Sequence, residues 1–310
     1  MATVIVHTAG LLTTVQDRGR YGYQRYGMPV SGAMDVFSLD LANLLVGNDP
    51  GDACLEATIS GPELEFTSAT WIAITGADMD PHLNGQGIPM NTAVDVRPGD
   101  RLGFKGLRSG CRAYIAFAGG IAVPPVMGSR STYLRAGIGG FQGRALMIGD
   151  ELHLGAPKGK LRLKRISEGL IPEYKHEQTI RVISGPEAHY FELAGLRSFL
   201  STEHTVTARS DRMGYRLSGE PIKHKEGMTN IISAGISLGT VQVPGDGHPI
   251  ILMADRQTSG GYARIANVIT ADLTLLAQMR PGDKLRFKET EFEIAHQVYI
   301  SRHRVLLGLR

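Results

Sequence analysis

Apolar residues in this chain come in short, often β-branched or aromatic runs, and nearly every run is closed by Gly, Pro, Asp or Asn. Val4 to His7, Leu12 to Val15, Leu64 to Phe66, Trp71 to Thr75 and Ala93 to Val96 set the pattern. It continues through Arg101 to Phe104, Arg112 to Phe117, Glu151 to Leu154, Ile180 to Ile183 and Thr205 to Thr207. Thr240 to Val243, Ile250 to Met253, Lys284 to Phe287 and Phe292 to Val298 complete it. Such runs make strands separated by tight turns, and their close spacing favours barrels or sandwiches over a wound parallel sheet. Composition supplies the turns: 39 Gly and 15 Pro among 310 residues is roughly 17%, against a usual ~12%.

Three segments read as short helices. Ser31 is placed to cap a segment in which Met34, Phe37, Leu41, Leu44 and Leu45 recur at helical spacing, closed by Gly47. A second starts near Pro186 and breaks at Gly195 before Leu196 to Leu200; a third covers Asp272 to Met279. They are expected to plug barrel ends. The length suits two domains, with the boundary expected in the basic, proline-containing stretch from Gly155 to Lys175. The domains are therefore drawn as 1–165 and 166–310. Within that stretch Leu161 and Leu163 alternate with Arg162 and Lys164, as in an exposed strand. Arg97-Pro98-Gly99-Asp100 returns as Arg280-Pro281-Gly282-Asp283, and Asp17-Arg18 returns as Asp211-Arg212, a weak sign that the two halves are alike.

With 33 Lys and Arg against 30 Asp and Glu, nothing in the charge calls for nucleic acid or a membrane surface as partner. No apolar stretch approaches the roughly 18 residues of a membrane span. Two cysteines, Cys54 and Cys111, and an N-terminus without signal-peptide character fit the cytoplasm. Gly235-Ile236-Ser237-Leu238-Gly239 matches a nucleophile elbow, but a strand follows where a helix is required. Gly155 to Lys160 lacks P-loop spacing, and the ten histidines show no metal-ligand spacing.

Four segments carry more polar chemistry than a core requires. Asp17-Arg18-Gly19-Arg20 leaves a strand with an acid and two guanidinium groups. Ser31-Gly32-Ala33-Met34-Asp35 turns onto a helix N-terminus, where free N–H groups favour an anion. Arg130 stands among hydroxyls with Ser131 and Thr132, as suits a guanidinium fork on a carboxylate or phosphate. Asp255 and Arg256 with Gln257, Thr258, Gly260 and Gly261 follow a buried strand and combine acid, cation, amide and flexible backbone. Together they point to a polar small-molecule site.

At these residues the sequence resembles a family that includes the second subunit of bacterial 5-oxoprolinase, allophanate hydrolase subunit 2, KipA-like proteins and biotin-dependent carboxyltransferases. The stretches that carry the likeness are 14–20 with 27–35, 42–48, Ser210-Asp211-Arg212-Met213-Gly214-Tyr215-Arg216, and 254–262. The resemblance implies a mainly β chain of two cyclophilin-like β-barrels with a few short helices. It implies ATP-dependent opening of the 5-oxoproline lactam to glutamate, with ATP and magnesium entering at the level of a complex. The partners implied are a sister B subunit, similar to allophanate hydrolase subunit 1, and a lactam-hydrolase A subunit. The alternatives are the carboxyltransferase part of a biotin-dependent urea or amide carboxylase, and a non-catalytic regulator that antagonises an inhibitor of a histidine kinase. No carrier-lysine motif is present, so biotin is not expected on this chain. For either chemistry Arg18, Arg130, Arg212 and Arg256 supply donors, and Asp17, Asp211 and Asp255 are the candidate bases.

Overall fold

The computed structural model describes residues 2–159 and 165–309. Strands make up 36% of the chain and helix 18%, as the runs and turns lead one to expect. Two compact units emerge. The first comprises Met1–Tyr21, Ser31–Glu173 and Leu306–Arg310; the second comprises Gly22–Val30 and Tyr174–Val305. The alternating segment around Leu161 and Leu163 lies outside the described residues.

The first unit is layered. A six-stranded antiparallel sheet has Thr3–Thr8, Glu63–Phe66 and Arg101–Phe104 near its middle, and a five-stranded sheet is ordered Leu12–Gln16, Cys54–Thr58, Ser109–Phe117, Thr70–Asp78, Ala93–Val96. Val4, Val6, Leu64 and Leu102 from the first sheet form one core with Val15, Leu55, Ile72, Ile115 and Phe117 from the second. The other face of the five-stranded sheet is covered by helix α1, Val36–Leu45, through Leu39, Ala42 and Leu45 against Cys54, Ala73, Tyr114 and Ala116. Thr70–Asp78 and Ser109–Phe117 are thus buried on both faces, which is why they read as continuous apolar runs. The helix lies on a sheet face instead of plugging a barrel end.

The second unit closes. Glu177–Ser184, Lys284–Glu289, His204–Val206, Gly214–Ser218, Ile250–Leu252, Thr240–Val243 and Ser259–Val268 pair in that order, and Val182 opposite Val268 completes a seven-stranded barrel. Asn230–Gly235 pairs antiparallel with the first part of Ser259–Val268, from Ser259 to Tyr262. Buried Ile180, Val182, Tyr215, Leu217, Leu285 and Phe287 alternate with more exposed neighbours, the period-two pattern of a wall with one wet face.

The helices differ from expectation in three further places. Asp35, not Ser31, is the N-cap of α1, its carboxylate accepting from Ser38 N at 3.1 Å, because Ser31 sits one turn too early in a left-handed conformation (φ 58°). Gly195 does not break the second helix, Leu193–Ser201. A Cβ there would lie 2.5 Å from Lys223 O, so the glycine serves close packing. Phe292 to Val298 is not a strand but the start of a helix, Phe292–Gly308. The seventeen residues contain neither glycine nor proline before Gly308, a length that favours helix over strand. No described helix is long and apolar enough to cross a membrane.

Candidate functional site

The sequence-derived residues assemble into one cluster in each unit. In the first, Asp17 leaves the strand Leu12–Gln16 and its carboxylate accepts from Gly19 N (2.8 Å), Ser129 Oγ (2.6 Å) and Arg130 N (2.5 Å). Ser129 and Ser131 hydroxyls are 2.8 Å apart, and Thr132 donates its N–H and hydroxyl to Val15 O at 2.9 Å. The buried Arg20 guanidinium donates to Ser131 O. Glycine is needed where these loops touch: a Cβ on Gly32 would lie 2.7 Å from Gly19 N, and one on Gly139 2.1 Å from Ser131 O. Asp17 is therefore the post that holds the Ser129–Thr132 loop to the strand end.

The arginines of this unit differ. Arg18 forks Asp40 through Nε and Nη2 at 2.9 and 2.6 Å. Half-buried Arg130 donates Nε to Val123 O at 2.8 Å, and among the described residues its two terminal nitrogens have no partner. Beside the loop, the anion expected at the helix N-terminus is the chain's own. Met34 N donates to Glu56 Oε2 (2.8 Å), Asp35 N to Tyr114 Oη (2.7 Å), and Tyr114 Oη to Glu56 Oε2 (2.7 Å). Burial, followed by the charges of Glu56 and Asp35, pushes the Tyr114 phenol well above its ordinary value, so it acts as a neutral donor. Burial, followed by Glu56 and Asp40, likewise pushes the Cys54 thiol up, which leaves no thiolate nucleophile there.

In the second unit Asp211 Oδ1 accepts from Met213 N (2.8 Å) and Gly214 N (3.2 Å), and Arg212 forks Asp255 at 3.0 and 3.2 Å. Both members of that pair are buried. Asp255, a candidate base in the sequence, has Arg212 as its bidentate partner and not its neighbour in the chain. Arg256 is buried and donates to Ile236 O and Met253 O, both at 3.3 Å. Thr258 accepts from Ile236 N through its main-chain oxygen. The space at Gly260 is filled by Ile236 and Gln242, 2.5 and 2.9 Å from a Cβ built there, while Gly261 approaches Ile231 O. Asp211 and Gln257 face a cleft of about 320 Å³ on the barrel's outer wall.

Sequence reasoning missed Glu56, Tyr114 and Asp40, because charged or hydroxyl groups inside apolar runs show no spacing signal until the sheet register sets them side by side. Tyr114 lies opposite Glu56 in the ladder. It also missed Arg209 and Arg216 at the cleft; the alternation of the strand Gly214–Ser218 is the signal that places Arg216 on the outer wall. Among the described residues no three His, Cys, Asp or Glu side chains are grouped to hold a metal. The elbow-like segment lies between two strands, and Ser237 Oγ bonds Thr240 and Asn267 rather than a histidine.

Residues 26–289 match the carboxyltransferase domain, subdomain A and B. The chain is 41% identical over 287 residues to the C subunit of 5-oxoprolinase from Escherichia coli (strain K12), covering 93% of this chain and 91% of that protein. It is 37% identical over 303 residues to urea amidolyase of Saccharomyces cerevisiae, covering 92% of this chain and 16% of that one. Among solved structures, Kluyveromyces lactis urea carboxylase superposes with a TM-score of 0.94 at 33% identity, over 99% of this chain and 29% of that one. These likenesses agree with the motif resemblance, which likewise runs through both units. The chain belongs to the carboxyltransferase domain, subdomain A and B, family.

Proposed function

We propose that this chain is the C subunit of an ATP-dependent 5-oxoprolinase, which opens the lactam of 5-oxo-L-proline to L-glutamate only when joined to its partner subunits. The observation that carries the reading is the 41% identity, over nine-tenths of both chains, to a protein named as that component of 5-oxoprolinase. The partners are the sister B subunit, with the lactam-hydrolase A subunit, and the assembly works in the cytoplasm. ATP, with magnesium accompanying the nucleotide in the assembly, would phosphorylate the amide oxygen with release of ADP, and water would then open the ring with release of phosphate. What this chain must then supply is donors for carboxylate and phosphoryl oxygens, held in place before the substrate arrives.

Arg130 fits that role best. Its main-chain N–H is fixed by Asp17 and its Nε by Val123 O, which leaves both terminal nitrogens for a bidentate anion contact. Arg18 and Arg212 already fork carboxylates of this chain and act as positioning residues for their loops. Asp17 and Asp255 do the same from the acid side. Asp211 lies in the other unit, exposed at the cleft, and keeps an oxygen not engaged by its own turn.

A second reading, the carboxyltransferase part of a biotin-dependent urea or amide carboxylase, is supported by the TM-score of 0.94 to a urea carboxylase. One comparison separates the two. The chain is co-purified with its sister and lactam-hydrolase partners, then assayed for glutamate release from 5-oxo-L-proline with ATP and for urea carboxylation with carboxybiotin. ATP-dependent glutamate release that needs all three proteins supports the first reading, and urea carboxylation without glutamate release replaces it with the second.

A further inference from the structure

We propose that the cleft on the outer wall of the second unit is a binding site for a free α-amino acid, recognised as a zwitterion. Its floor follows from the sheet register. Gly214 lies opposite Leu252, and Arg216 and Gln242 both lie opposite Ile250, so these five residues share one face. The volume, about 320 Å³, is at the small end of the range for metabolite pockets.

The charges of the cleft do not cancel one another. Arg209 and Arg216 line it, and among the described residues neither guanidinium has an ion pair. Asp211 and Asp246 line it too, each with Oδ1 engaged by main-chain N–H groups of its own turn, Met213 and Gly214 for Asp211 and His248 for Asp246. Their Oδ2 atoms have no partner among the described residues. Gln242, 1% exposed, presents an amide that makes one long bond, from Nε2 to Tyr262 O at 3.4 Å, and among the described residues none through its oxygen. Two cations, two anions and a buried amide around one cavity are what a molecule bearing both a carboxylate and an ammonium requires. A simple anion would use the arginines and meet repulsion from the aspartates.

The matching Asp-Arg pair of the first unit sharpens the point. Asp17 makes the same turn as Asp211, yet its carboxylate is occupied by Ser129 and Arg130. Asp211 carries no such clamp and faces the cleft. The site does not depend on the 5-oxoprolinase reading, because the isolated chain contains all of it.

Isothermal titration of the isolated chain tests the proposal, with L-glutamate and N-acetyl-L-glutamate as probes. L-Glutamate is expected to bind saturably, N-acetyl-L-glutamate at least tenfold more weakly for want of the ammonium, and Arg216→Gln and Asp246→Asn each to weaken L-glutamate at least tenfold. Circular dichroism and melting of the two variants should match wild type, as both residues are exposed. Equal binding of the two probes, no binding of L-glutamate, or unchanged affinity in both folded variants would overturn it.

Discussion

The two units use the same pair of devices for different ends. In each, an Asp-Arg step leaves a strand or enters one, the aspartate accepts an N–H two residues ahead at 2.8 Å, and the arginine forks a second aspartate of its own unit. In each, an Arg-Pro-Gly-Asp turn has the aspartate accept the arginine's N–H, 2.7 Å from Arg97 and 2.9 Å from Arg280, with the glycine at φ 87° and 95°. Gly99 N and Gly282 N then bond the end of a neighbouring strand, at Phe66 O and Val206 O. What differs is the surroundings. The layered first unit covers one face of its five-stranded sheet with α1 and buries the few polar groups there in the Glu56–Tyr114–Asp35 network, whereas the closed barrel leaves its outer wall open and retains a cleft. Local chemistry sets the turns; the layer placed over a sheet decides whether its polar face becomes scaffold or site.

The sharpest way to break this comparison is to remove the two forked arginines. The second unit's pair is buried on both sides, with side chains 8% and 6% exposed, while Arg18 is 43% exposed over a buried Asp40. Arg212→Ala strands Asp255 in the interior and should cost about 3–5 kcal/mol. Arg18→Ala lets water reach Asp40 and should cost no more than about 1 kcal/mol. Urea denaturation of the two variants measures the gap, and equal losses would mean that the environments do not differ as described. Tyr114→Phe comes next. It leaves Asp35 N and one Glu56 contact unanswered beneath α1, a loss of about 1–3 kcal/mol.

A smaller effect separates the units by pH. Burial lowers the affinity of His204 and His224 for a proton, and both belong to the second unit. The unfolded imidazole protonates near its ordinary ~6.5 while the folded one resists. Stability from this source is therefore full above that value and is lost as pH falls below it. The carboxylates held down in the first unit, Asp150 by Arg144 and Asp100 by the Arg97 N–H, act in the same direction only at lower pH. Hydrogen exchange between pH 7 and 5.5 should show the second unit loosening first, and His204→Leu should flatten that response.

Much of this is legible in the chain. Period-two runs and Gly-Pro turns identify strands wherever one face is wet, and the repeated Arg-Pro-Gly-Asp and Asp-Arg words mark turns that do equal work. The helix Phe292–Gly308 escapes such a reading because its first residues also alternate, and the true cap of α1 escapes it because hydroxyl and carboxyl candidates, Ser31 and Asp35, both precede the helix. The site is harder. Which aspartate meets which arginine depends on partners 22 and 43 residues distant, which no local pattern specifies.

On the proposed reading Arg130, whose terminal nitrogens have no partner among the described residues, meets the substrate's anion, while the forked arginines position their loops. Steady-state glutamate release by the complex assembled with Arg130→Lys, alongside thermal melting of the same variant, tests it most directly. A lysine cannot reproduce the bidentate contact, so activity is expected to fall at least tenfold with melting close to wild type. Unchanged kinetics, or activity and melting temperature falling together, would contradict the assignment.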